Sequence, residues 1–199
     1  MIKQFAKLGL ILAAFAAVAC VGLAAVNGMT EEQIRINADK QLDESLKGLF
    51  PTAAGFDDIS ASISSSNPDV KFDNAYAAKG TEGVLGTAIK ASGPSYGGVA
   101  VLLIGVGPEK ALVGVRVLEN KDTPGLGANA SVPSYFVDKS SRTTFPGQFA
   151  GKPLSDLFEV KKDVQAITAS TITSKALTKI VKAAGDAGSA WLAGAAGGN

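Results

Sequence analysis

Histidine is missing altogether from the 199 residues, and cysteine occurs once, as Cys20. Without imidazole the chain has no common general base, no serine or cysteine triad built on histidine, and no histidine-ligated haem or zinc. A single thiol makes neither an internal disulfide nor a four-thiolate iron–sulfur site. Redox chemistry in such a chain requires an organic cofactor. An excess of charge of one sign is also lacking, because 19 basic residues offset 18 acidic ones and leave a net charge of +1. No field of that size recruits nucleic acid, so a nucleic-acid partner is not expected. Internal repeats are absent as well.

What is present begins with residues 8–26, LGLILAAFAAVACVGLAAV, an uncharged run close to the ~20 residues that cross a bilayer as a helix. One transmembrane helix is the direct reading. The competing one is a cleaved signal peptide, whose apolar region is usually shorter and is followed by small residues. Lys3 and Lys7 precede the run, which puts the N-terminus in the cytoplasm and the main domain on the outer, periplasmic side of the cell (inner) membrane. Cys20 follows Ala17-Val18-Ala19. This is loosely similar to a lipoprotein processing site without its usual leucine, and lipidation stands beside an unmodified thiol facing lipid.

Thr30-Glu31-Glu32-Gln33 has the spacing of a capping box and predicts a helix start. Ile34, Ala38, Leu42, Leu46 and Leu49 then recur at helical spacing until Pro51. Residues 57–73 are polar and read as loop with a short edge strand. From Phe72 the pattern becomes strands at 83–91, 99–106 and 111–118, the last two joined by Gly107-Pro108-Glu109-Lys110 as an antiparallel hairpin. VAVLLIGV at 99–106 is apolar on both faces, which marks a central strand. A short helix is predicted around 133–139 and a terminal helix over 174–184, followed by a glycine-rich tail that is frayed or docked only through Trp191 and Leu192.

Three short segments have the makings of a site. Residues 165–174, QAITASTITS, place several hydroxyls directly before the terminal helix, where free backbone amides and a partial positive charge suit a phosphate. The plain alternative is that Thr173 or Ser174 caps the helix. Asp122-Thr123-Pro124-Gly125-Leu126-Gly127 fixes a tight exposed turn that lets the main chain approach a planar ligand. Ser95-Tyr96-Gly97-Gly98 brings an aromatic and two glycines to the start of the central strand; the alternative there is a core-edge tyrosine at a bulge.

In order and spacing, SYGG, ENKDTPGLG, FPGQFAGK and QAITASTITSKAL resemble the FMN-binding domain of the G subunit of the Rnf complex, an ion-translocating ferredoxin:NAD oxidoreductase. The C subunit of the sodium-translocating NADH:quinone oxidoreductase carries the same domain. The resemblance covers roughly residues 96–184. It implies a covalent FMN, joined as a phosphoester by a separate flavin transferase to the last threonine of a Ser/Thr-Gly-Ala-Thr motif. That motif falls on Thr168-Ala169-Ser170-Thr171, with alanine and serine at the two middle places and Thr171 as the attachment residue. The family's histidine and glutamate ahead of the turn are replaced by Asn120 or Lys121 and by Asp122. Further cofactor contacts implied by the resemblance are Thr168, Ala169, Ser170, Thr173, Tyr96, Gly97 and the Asp122, Thr123, Pro124, Gly125, Leu126, Gly127 turn.

The resulting expectation is an α+β protein with an N-terminal transmembrane helix and a mixed domain whose antiparallel sheet packs on helices. Its divisions are an anchor at 1–28, a helix and polar connector at 29–71, an FMN-binding domain at 72–186 and a flexible tail at 187–199. The resemblance implies an electron-transfer subunit with no catalytic side chains and no metal, working with other membrane and redox subunits of an Rnf-type complex. Two other readings remain: a stand-alone extracytoplasmic flavoprotein or lipoprotein shuttling electrons, and a non-redox envelope binding module in which the threonines only cap a helix.

Overall fold

The computed structural model describes residues 2–81 and 83–196, and the chain divides into two compact units, Met1–Asp43 and Glu44–Asn199. Helix α1 spans Ile2–Leu49, which at 1.5 Å per residue is about 70 Å long. It is long and apolar enough to cross a membrane, and none of its apolar window is buried in the protein. No new helix starts at Thr30. The Thr30 hydroxyl donates back to the carbonyl of Val26 at 2.9 Å inside a continuous helix, so the expected capping box does not form.

Within Glu44–Asn199, five strands form one antiparallel sheet in sequential order: β1 Gly55–Asp58, β2 Lys71–Lys79, β3 Val84–Pro94, β4 Val99–Val106 and β5 Leu112–Glu119. Strand β4 has the bounds its doubly apolar sequence predicts and lies between β3 and β5. The β4–β5 turn closes through the Gly107 amide and the Ala111 carbonyl at 2.9 Å, with Lys110 at a left-handed φ of 57°. A two-stranded ribbon, β6 Phe136–Asp138 with β7 Thr143–Thr144, occupies the place where a short helix at 133–139 was expected. Helix α2 runs Thr171–Ala196, beginning three residues before the expected 174. It also continues through most of the segment read as a flexible tail; residues 197–199 of that tail lie outside the described residues.

The extension of α2 depends on close contact with the sheet. A Cβ at Gly188 would meet Thr87 Oγ1 at 2.6 Å, and one at Gly185 would meet a Leu154 methyl at 2.5 Å. Glycine at 188 lets the helix lie against β3 and β4, and glycine at 185 makes room for Leu154, with Leu177, Ile180 and Val181 buried in one core with Ile89, Leu102 and Ile104. The apolar burial of this layer supplies most of the cohesion of the domain. On the other sheet face, Gly86, Gly105 and Gly114 make room for Leu49 and Phe50.

The segment between the ribbon and α2 has little regular structure and is held by Lys152. Its ammonium reaches Asp156 at 2.9 Å, Asp163 at 3.0 Å and the Asp163 carbonyl at 3.1 Å. Burial pushes the Lys152 ammonium down, but the two carboxylates outweigh it and raise it above its ordinary value. Asp163 in turn accepts from the Phe158 and Glu159 amides, which fixes Phe158 at a left-handed φ of 53°. Lys152→Met leaves two carboxylates without their cation, and a loss of about 2 kcal/mol in urea unfolding is expected.

Candidate functional site

Two loops and the start of α2 meet at one place. The tip of the β3–β4 connection brings Tyr96, the turn after β5 brings Thr123, Leu126 and Gly127, and the α2 N-terminus brings Ala169, Ser170, Thr171, Ile172 and Thr173. Together they line a pocket of about 600 Å³, within the range of small-molecule and cofactor sites. Tyr96 and Ile172 are mostly exposed at its rim, at 67% and 64%, which leaves apolar surface for a planar ligand.

Asp122 joins the three segments. It is buried, and its carboxylate accepts from the Ser95 hydroxyl at 2.7 Å and from the Gly97 amide. The Thr173 hydroxyl is a further donor to it. Burial pushes the carboxyl up, but the hydrogen bonds from Thr173, Ser95 and Gly97 outweigh it and hold Asp122 below the ordinary aspartate value. Asn120 steadies the turn from both ends: its oxygen accepts the Asp122 amide at 3.0 Å and its amide donates to the Gly127 carbonyl at 2.9 Å.

Thr171 is the first residue of α2, half-buried with its side chain at the pocket. Helix geometry leaves the amides of Thr171, Ile172 and Thr173 without a carbonyl four residues back, and the helix dipole adds positive potential there. The site therefore offers a hydroxyl and free amides together, the donor set that a phosphate monoester requires. Ser174 does not point outward as a cap. Its hydroxyl donates to the Ser170 carbonyl and accepts the Ile167 amide, both at 2.9 Å, tying the preceding loop onto the first turn.

A family model described as an FMN-binding domain matches residues 95–186, and one described as the RnfG N-terminal region matches residues 1–49. The G subunit of the Na(+)-translocating ferredoxin:NAD(+) oxidoreductase complex of Acetobacterium woodii is 31% identical over 194 residues, covering 88% of this chain and 87% of that protein. This chain belongs to the Rnf G-subunit family. The corresponding G subunit of an ion-translocating oxidoreductase complex in Methanosarcina acetivorans is 28% identical over 92% of this chain and 94% of its own. That of the proton-translocating ferredoxin:NAD(+) oxidoreductase complex of Clostridium ljungdahlii is 38% identical over 114 residues, which span 56% of that relative.

Among the residues expected from sequence to form the site, Tyr96, Thr123, Leu126, Gly127, Ala169, Ser170, Thr171 and Thr173 line the pocket. Gly97 and Asp122 stand behind it as a clasp. Thr168, Pro124 and Gly125 are outside the lining; Gly125 has a φ of 75°, as the turn requires, and the Thr168 amide donates to the Tyr135 hydroxyl at 3.0 Å. Ile172, Ser95 and Tyr135 were not singled out for the site from sequence. The same holds for Gln148, whose oxygen accepts the Gln165 amide at 2.7 Å. Ser95 and Ile172 had a signal in their places in the SYGG and QAITASTITS segments, and Gln148 had one in FPGQFAGK; Tyr135 had none.

Ala169, at the place where the sequence resemblance puts a glycine, has a φ of 58°. That left-handed conformation costs an alanine roughly 1 kcal/mol. Ala169→Gly relieves that strain while adding freedom to the unfolded chain. A net gain of about 0.5 kcal/mol is expected, read as a higher urea midpoint with an unchanged slope.

Proposed function

We propose that this chain is the membrane-anchored electron-transfer subunit of an ion-translocating ferredoxin:NAD oxidoreductase complex, carrying FMN as a phosphoester on Thr171. The observation that supports it most is the position of the Thr171 hydroxyl, at the helix start and on the pocket wall. Its neighbours are less suited: Thr173 and Ser174 are buried and already bonded, Ser170 is buried, and Thr168 is outside the lining. The bound flavin supplies one- and two-electron redox chemistry that no side chain here provides.

The protein's own residues bind and orient. The α2 amides would hold the phosphate, Tyr96, Leu126 and Ile172 would offer apolar surface to the ring system, and Thr123 and Gly127 would complete the wall beside it. Attachment belongs to a separate flavin transferase that reads the 168–171 motif. Residues 8–26 anchor the chain in the membrane, and Lys3 and Lys7 favour a cytoplasmic N-terminus with the flavin domain outside. The other membrane and redox subunits of the complex are its electron donors and acceptors.

Extraction of native membranes followed by purification of the intact assembly tests this reading. A yellow chain that co-purifies with several polytopic subunits is expected. A yellow chain isolated without them favours a stand-alone shuttle, and a colourless chain contradicts the flavin.

A further inference from the structure

One acidic side chain is sealed inside the wall of the pocket. Asp122 is 4% exposed, and its three donors, Ser95, Gly97 and Thr173, are all neutral. Among the described residues no lysine or arginine pairs with it; neighbouring Lys121 pairs instead with Glu119 at 2.8 Å. The negative charge is thus held by hydrogen-bond dipoles alone.

Very little separates that charge from the cavity. A Cβ built on Gly127 would meet Asp122 Oδ2 at 2.6 Å and Thr173 Oγ1 at 2.5 Å, and both Gly127 and Thr173 line the pocket. The carboxylate therefore lies directly behind the glycine that forms the wall. Resting on the assignment of this pocket to the flavin, we propose that Asp122 is a positioning residue that also lowers the flavin's reduction potential. Its hydrogen bonds draw the two loops to the start of α2, and its fixed charge opposes the arrival of an electron.

The physical basis is Coulombic. A charge screened by water has little reach, whereas one buried in a medium of low effective dielectric acts strongly over a few ångströms. Reduction adds negative charge to the ligand in the pocket, so a fixed anion behind the wall disfavours it. The hydrogen bonds that hold the carboxyl below its ordinary value keep it ionised at neutral pH.

Two substitutions separate the charge from the clasp. In Asp122→Asn the side-chain oxygen still accepts the Gly97 amide, and the new NH₂ donates to the Ser95 and Thr173 hydroxyls, which rotate to accept. The pocket survives without its charge. Ser95→Ala does the reverse: it keeps the charge and removes a dipole that compensates it. Spectroelectrochemical titration of the full-length flavinylated chain is expected to show a raised midpoint for Asp122→Asn and a lowered one for Ser95→Ala. General loosening of the pocket would move both variants the same way, and that result overturns the proposal, as does an unchanged midpoint in Asp122→Asn. If Asp122→Asn fails to retain flavin, Ser95→Ala decides alone, and the absence of a downward shift overturns it. A wild-type chain without flavin overturns the cofactor reading and this inference with it, whereas flavin with unmoved potentials overturns this inference only.

Discussion

Thr171→Ala is expected to eliminate covalent flavin completely, seen as loss of the fluorescent band on a denaturing gel, while the chain stays folded. The expectation follows from how the hydroxyls near the α2 start are used. Ser174 ties Ile167 to Ser170, and Thr173 serves Asp122, so neither is free to take over. Thr171 is half-buried and at the pocket, and its loss removes no interaction on which the first turn depends. The stability change is expected to stay within about 0.5 kcal/mol, as for a surface substitution. Thr171→Ser keeps an oxygen at the same place and should restore the fluorescent band at least in part.

Gly127→Ala is expected to have a comparable effect on flavin by a different route, and to destabilise the domain as well. The added methyl would meet Thr173 Oγ1 at 2.5 Å, Asp122 Oδ2 at 2.6 Å and Asp122 Cβ at 2.7 Å. None of these is the loose end of a flexible chain, because Asp122 is pinned by Ser95 and Gly97 of the β3–β4 connection. The turn must move outward or the clasp must open. Overpacking of this kind costs about 1–3 kcal/mol, and loss of a hydrogen bond to a buried carboxylate adds to it. Urea unfolding should show a fall of about 2–3 kcal/mol, with little or no flavin incorporated. A Gly127→Ala chain of wild-type stability and full flavin content would show that the clasp does not shape the pocket.

The sheet was legible where a local rule acts alone. Strand β4 has no polar face, so VAVLLIGV can only be an interior strand, and the glycine–proline turn that follows leaves β5 little choice but to pair with it. Helix α2 was legible only where its apolar period is strong. Beyond residue 184 the sequence GDAGSAWLAGAA carries three glycines that weaken a helix in isolation, but Gly185 and Gly188 allow close approach of Leu154 and Thr87, which no local pattern records. Thr30 shows the opposite error. Its spacing to Gln33 satisfies a capping box, yet the preceding residues are already helical, and the hydroxyl turns back to Val26.

The candidate site divides in the same way. The hydroxyl-rich segment, the glycine turn and the tyrosine loop could each be read locally, and the structure brings all three to one pocket. Asp122 was legible as part of the turn. Its function as the clasp was not, because it depends on Ser95, 27 residues earlier, and on Thr173 at the start of a distant helix. Tyr135 and Gln148, which brace the loop before Thr171, lie in irregular segments with no periodicity to mark them.

Peptide mapping of the chain purified from its native membrane tests the assignment of the flavin to Thr171 most directly. Cleavage after Lys162 and Lys175 releases residues 163–175, which contain Thr168, Ser170, Thr171, Thr173 and Ser174 together. The expected result is one FMN added to this peptide, with fragmentation placing it on Thr171. An unmodified peptide from a yellow preparation, or an adduct on any of the other four hydroxyls, would contradict it.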